Sequence, residues 1–247
     1  MLWYKAWRES RVRFILSVGV WVILCISLMS RARTGFPPPE RPDLPFSAWV
    51  WANIYGNMNP TIFIILVMIL GLGGLQRERS TGTAAFTLSL PVSRLRLLAV
   101  RAAMGLAQTL ILAFAPALLI PTLSPLIAHQ SYAETQALQF GVLFLAWGSV
   151  AYSIGFLWSN LFGGEFTGTA LCVISPVVYR AFMASSGTFQ NYPAFNYASF
   201  MSGLPFIQNP VRVMIDKPLP LESLLILGCL TATFLACAER LAHKQDF

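Results

Sequence analysis

Between Phe14 and Ser30 the chain carries no charged side chain, and comparable apolar runs recur along its length. A helix over those residues extends about 26 Å at 1.5 Å per residue. That is slightly short of a hydrocarbon core of about 30 Å unless the flanking arginines snorkel to the interface. A chain with several such runs is bounded to the membrane class before any soluble fold is considered. Composition agrees: of 247 residues 56% are hydrophobic and only 11% are charged, against about 25% charged in soluble domains.

The sequence predicts an all-α polytopic protein with about six transmembrane helices forming one domain over residues 1–247. The spans fall at about 14–30, 60–75, 102–128, 136–158, 166–186 and 221–238. In the second, Asn59 is placed to cap the helix and Pro60 to open it, where a missing N–H costs nothing. The third contains Pro116, Pro121 and Pro125 and is expected to kink. The fourth and fifth are joined by the short segment 159–165, which makes them antiparallel.

Basic residues near span ends set orientation. With the N-terminus inside, the inner segments hold Lys5, Arg8, Arg11, Arg13, Arg77, Arg79, Arg94, Arg96, Arg101, Arg240 and Lys244. The outer ones hold only Arg31, Arg33, Arg41, Arg212 and Lys217. The expectation is therefore a multi-pass protein of the cytoplasmic (inner) membrane with both termini cytoplasmic. The net charge of +7 is explained by this topology and by attraction to anionic headgroups, and calls for membrane lipids rather than nucleic acid as partner. The run after the basic N-terminus is long for a signal-peptide core and no small-x-small site follows cleanly, so it is read as a retained span.

Residues 1–13 precede that span. Leu2, Trp3, Ala6, Trp7 and Phe14 share one helical face while Lys5, Arg8 and Glu9 share the other, the pattern of an interfacial helix with Trp3, Lys5, Trp7 and Arg8 at the water boundary. A basic flank that only sets topology is the simpler alternative. The outer segment after the first span is proline-rich, and Trp49, Trp51 and Tyr55 suit the outer water boundary. Segment 187–220 is expected to hold short membrane-dipping pieces. Cys25, Cys172, Cys229 and Cys237 all fall inside spans and read as packing residues, while His129 and His243 have no partner at ligand spacing, so no metal site is expected. Arg180 lies within the fifth span near its outer end, where snorkelling is the default and a cavity-facing role the alternative. Gly164, Gly168 and Cys172 form a small-residue ridge suited to close helix approach.

The segment 76–101 interrupts the apolar pattern with charge and turn-forming residues. Gly82 and Thr83 release the second span, Ser80 or Thr83 can cap a short helix over residues 84–89, and Pro91 is placed to restart a helix. Phe86 and Leu88 would then form a small apolar knob ringed by charge. Physics alone allows either a docking element or an ordinary basic loop.

The run Glu78, Gly82-Thr83, Leu88-Ser89-Leu90-Pro91-Val92-Ser93-Arg94, then Leu97-Leu98 and Arg101, resembles the signature of type-2 ABC exporter (ABC-2 type) permeases. The close match covers about 25 residues, and the extra Arg79-Ser80-Thr81 between Glu78 and Gly82 departs from the compact pattern. The resemblance implies a permease subunit in which the loop after the second span carries a coupling helix that contacts a separate ATP-binding subunit. On this chain that contact falls on Gly82, Thr83, Phe86, Leu88, Pro91, Ser93 and Arg94, with Glu78 as an ionic partner and the N-terminal helix as support. It further implies export as the direction and a second permease copy or homologue as companion. The chain has no G-x-x-x-x-G-K-[ST] loop, so no cofactor is expected on it and ATP belongs to the partner. The competing classes are a channel-like or structural membrane protein and an intramembrane enzyme. The enzyme class lacks support, because Ser149, Ser153 and Ser175 have no histidine at a span centre to activate them.

Overall fold

The computed structural model describes residues 2–38, 43–73, 93–162, 165–185, 192, 194–209, 211 and 213–244. Among them there is no strand, and the fold is all-α. Its elements are α1 (Leu2–Gly35), α2 (Phe46–Val50), α3 (Asn59–Gly71), α4 (Arg94–Leu123), α5 (Glu134–Leu161), α6 (Glu165–Ser185), α7 (Tyr197–Met201) and α8 (Leu221–Lys244). Single π-helical turns extend α2 through Trp51–Tyr55 and α4 through Ser124–Ala128. Five helices are long and apolar enough to cross a membrane by length and composition. A sixth candidate is the pair Phe46–Tyr55 and Asn59–Gly71, bent by 41°.

The helix α5 is the pole of the bundle. In its most apolar stretch 67% of residues are buried, against 11% to 33% in the other four long helices, because α3, α4 and α8 all pack on it. Lipid tails are as apolar as leucine, so helix association in a bilayer rests on tight van der Waals fit and polar contacts. Glycines supply that fit. Gly71 of α3 and Gly155 of α5 let the two backbones touch, and Gly105 of α4 accommodates the Tyr152 ring. Above that crossing lies an aromatic core, with Tyr55 stacked on Phe140 at 3.9 Å and Phe63 edge-on to Phe144 at 4.9 Å.

Several sequence expectations change. Residues 2–13 are not set off from the first span as a helix of their own: α1 runs unbroken for 34 residues, about 51 Å. Its buried side is one stripe, Ala6, Ser17, Trp21, Cys25, Met29 and Ala32, which continues from the N-terminal turns into the span and leaves no reason for a break. Trp49 and Tyr55 are not at the water boundary. Both are buried, because α2 and its π turn fold inward and bring apolar ring surface into the core. Trp51 is half-buried and donates its indole N–H to Ser202 O at 2.5 Å.

Asn59 does not cap α3. Met58 holds that position and Asn59, inside the first turn, donates instead to the Asn53 carbonyl. The helix α4 begins at Arg94, where the Ser93 hydroxyl caps it; Pro91, expected to restart a helix, lies outside the described residues. The prolines Pro116 and Pro121 sit inside α4 without ending it, and Pro125 falls in the π turn that follows. Cys25 and Cys172 are packing residues as expected, but Cys229 and Cys237 are exposed on the outer side of α8.

Candidate functional site

Two polar clusters stand out in this apolar bundle, one at each end. The first surrounds the two ends of segment 74–92. At the exit, Ser93 has extended backbone angles and its Oγ accepts the Arg96 N–H at 3.3 Å, which fixes where α4 starts. Leu97 and Leu98 then turn into the core. One turn on, the almost fully buried Arg101 reaches across to α1 and donates to Glu9 Oε2 at 2.7 Å.

At the entrance, Gly73 takes φ +112°, a conformation that favours glycine, and its N–H donates to Ser159 Oγ of α5 at 3.0 Å. Arg13 of α1 lies against it, donating to the Ile69 carbonyl at 3.4 Å and to the Glu9 carbonyl at 3.3 Å. A cation there complements the carbonyl-rich C-terminal end of α3, worth about 0.3–1 kcal/mol.

The same stretch of α1 therefore lies against the residues that flank segment 74–92 on both sides. Gln108 of α4 donates to Ser10 Oγ at 2.7 Å, and the Tyr152 hydroxyl donates to the Arg101 carbonyl at 3.2 Å, tying α4 to α1 and α5. Between these groups is a cavity of about 30 Å³ lined by Glu9, Ser10, Arg13, Arg101, Gln108 and Tyr152, enough for one or two waters and no larger ligand. Chemically the cluster offers no activated nucleophile. It is a strut: a paired carboxylate and guanidinium with hydrogen-bonded neighbours, able to carry force between α1 and the start of α4.

The opposite end is organised by Arg180. It does not snorkel freely. Its Nη1 donates to Asn57 O at 2.6 Å and to Thr61 Oγ1 at 2.9 Å, and lies 3.3 Å from Met58 Sδ. Tyr197 gives its one hydroxyl proton to the Pro176 carbonyl at 2.9 Å, so at the 3.1 Å contact between Thr61 and Tyr197 it is the Thr61 hydroxyl that donates. The hydrogen bonds thus run in one direction, from Arg180 through Thr61 and Tyr197 back to α6 at Pro176. Burial raises the Tyr197 phenol above its ordinary value, partly offset by the Thr61 hydrogen bond and the Arg180 charge, and the phenol stays neutral and donating.

Of the residues the sequence marks as the coupling interface, Glu78, Gly82, Thr83, Phe86, Leu88 and Pro91 lie outside the described residues, as does Gly164 of the small-residue ridge. Ser93 caps α4 and Arg94 is its first residue. Trp3, Trp7 and Arg8 are exposed, and Lys5 pairs with Glu9 at 3.7 Å. The sequence pattern puts Glu9 on the face shared with Lys5 and Arg8 and Arg101 at the inner boundary, and the structure joins them. One signal was available: Glu9 is the lone acid among Lys5, Arg8, Arg11 and Arg13. No known family profile matches the chain, and no curated protein is significantly similar to it.

Proposed function

We propose that this chain is the permease subunit of an ATP-driven exporter of the type-2 ABC class, working with a separate ATP-binding subunit and a second permease copy or homologue in the cytoplasmic membrane. The observation that carries the reading is the Glu78 to Arg101 sequence pattern, which closes on Arg101, paired with Glu9 of α1. In a coupled transporter, motion of an external motor must reach the spanning helices without being absorbed by a slack connection. Here Ser93 fixes the first turn of α4, and the Glu9–Arg101 pair fixes α4 to α1 two turns later. Gly73 and Arg13 do the same for the end of α3. A push on residues 78–94 would thus bear on α1, α3 and α4 together.

The chain has no phosphate-binding loop of its own, in keeping with a motor on another polypeptide. The test is affinity capture of the full chain from its native membranes, assayed for an ATP-hydrolysing partner. Phe86→Asp and Arg94→Glu are expected to lower recovery of that partner while the permease remains folded. Full recovery with both variants, or no ATPase captured by the unmodified chain, would overturn the reading.

A further inference from the structure

The small polar cavity beside the Glu9–Arg101 pair is where four helices meet. Ser10 and Arg13 of α1, Gly71 of α3, Gln108 of α4 and Tyr152 of α5 all line it. Gly105 of α4 carries no side chain there, and the tip of the Tyr152 ring takes the place that a Cβ would fill.

Counting protons around Gln108 shows what the chain leaves unmet. The Ser10 hydroxyl points its one proton at backbone carbonyls of its own helix, 3.0 Å from Ala6 O and 3.4 Å from Trp7 O. Towards Gln108 it can therefore only accept, and the amide must present its Nε2, as the 2.7 Å contact has it. Turning the amide over would set two proton-less oxygens against each other. Gln108 Oε1 is thus fixed as an acceptor. Gln108 is only 2% exposed, and no donor among the described residues reaches that oxygen. A buried acceptor left in that state costs a full desolvation penalty, and such groups are ordinarily completed by protein or by ordered water.

The surroundings decide which donor completes it. A cation would face the guanidinium groups of Arg13 and Arg101, which line the same space. A small anion has no proton for Gln108 Oε1 and would face the Glu9 carboxylate. The volume of about 30 Å³ admits one or two waters and nothing larger. Water meets each condition, since it is neutral, donates twice and accepts twice. A buried water makes about three hydrogen bonds, and partners are at hand. The Tyr152 hydroxyl spends its proton on the Arg101 carbonyl at 3.2 Å, so towards the cavity its oxygen can accept.

We infer that this cavity is a binding site for an ordered water that donates to Gln108 Oε1 and bridges it to Tyr152, joining α4 to α5 beside the Glu9–Arg101 pair. The site rests on packing within the chain and does not depend on which partner engages residues 78–94.

The test is X-ray hydroxyl-radical footprinting of the full chain in phosphatidylcholine nanodiscs, read by peptide mass spectrometry. Radiolysis of a bound water oxidises the ring beside it even where that ring is closed to solvent. Tyr152 is only 2% exposed, and the fully buried Phe63 and Phe140 of the aromatic core serve as dry references. Wild-type Tyr152 is expected to oxidise several times faster than either. Equal rates would overturn the site. When heavy-oxygen water is mixed in just before the pulse, the exposed Tyr4 should take up heavy oxygen at once while Tyr152 lags. Simultaneous uptake at both would mean bulk water and would overturn an ordered one. Gln108→Leu, similar in bulk but without the acceptor, should bring Tyr152 oxidation down towards that of Phe140, and an unchanged rate would overturn Gln108 as the anchor. A rise at Phe63 and Phe140 would mark loss of the fold in that variant, and the two wild-type readouts then decide.

Discussion

Gly155→Ala is the sharpest single probe of the bundle, because the obstacle it meets is backbone. A Cβ at Gly155 would collide with the Met68 carbonyl oxygen, and one at Gly71 would stand 2.6 Å from Phe156 N and 2.7 Å from Tyr152 O. No rotamer can relieve either clash, so α3 and α5 must separate. Overpacking usually costs about 1–3 kcal/mol when side chains can adjust. With two backbones in the way, Gly155→Ala is expected at the upper end, about 3 kcal/mol.

The molecule supplies its own control. Gly228 on α8 has nothing within 4 Å of an added Cβ, so Gly228→Ala should be neutral or up to about 1 kcal/mol stabilising through helix propensity. The assay is reversible unfolding of micelle-purified protein in increasing dodecyl sulfate, followed by helical circular dichroism. The double variant Gly71→Ala/Gly155→Ala should cost less than the sum of the singles, since one separation of the helices relieves both. The reasoning fails if Gly155→Ala falls within about 0.5 kcal/mol of Gly228→Ala, a spacing typical of unremarkable surface changes.

Other predictions follow from the two polar ends. Glu9→Gln and Arg101→Gln should each destabilise by about 1–3 kcal/mol in the same assay, and their double-mutant cycle should show coupling above about 0.5 kcal/mol; a coupling near zero would mean the pair is no strut. Buried Gln136 both donates to Ile215 O at 3.0 Å and accepts from Ile215 N at 2.9 Å, so Gln136→Leu should cost about 2 kcal/mol or more by stranding both backbone groups, and a neutral result would remove its role in seating the segment before α8. Cysteines placed at the exposed Ser93 and Gln130 in a background lacking the four native ones should react with an impermeant maleimide from opposite sides of sealed vesicles. Labelling of both from the same side would contradict the course of α4.

Hydropathy made the spanning helices legible, because it depends only on whether a residue tolerates hydrocarbon, and Phe14–Ser30 or Gln136–Trp158 satisfy that wherever they pack. What hydropathy cannot see is the direction a side chain faces within a tolerant helix. Ala6 shares a helical face with Trp3 and Trp7, yet it alone of the three is buried, while the two rings stay exposed. Tyr55 looks like a boundary residue because the proline-rich segment precedes it, yet the bend between residues 55 and 59 tucks its ring onto Phe140. The Ser93 cap was open to a local reading, since a hydroxyl three residues before an N–H is visible in sequence. Glu9–Arg101 was not, since its partners are 92 residues apart.

Arg101 and Arg180 show how the same side chain is put to different uses by what surrounds it. At one end Arg101 is paired with a carboxylate, so its field is largely cancelled and what remains is a mechanical tie between α1 and α4. At the other end Arg180 is held by a carbonyl, a hydroxyl and a thioether, which orient the guanidinium without neutralising it. A cation near a membrane span costs about 2.5–3.5 kcal/mol at the centre and less toward the interface, and among the described residues these three neutral acceptors are what hold the Arg180 charge.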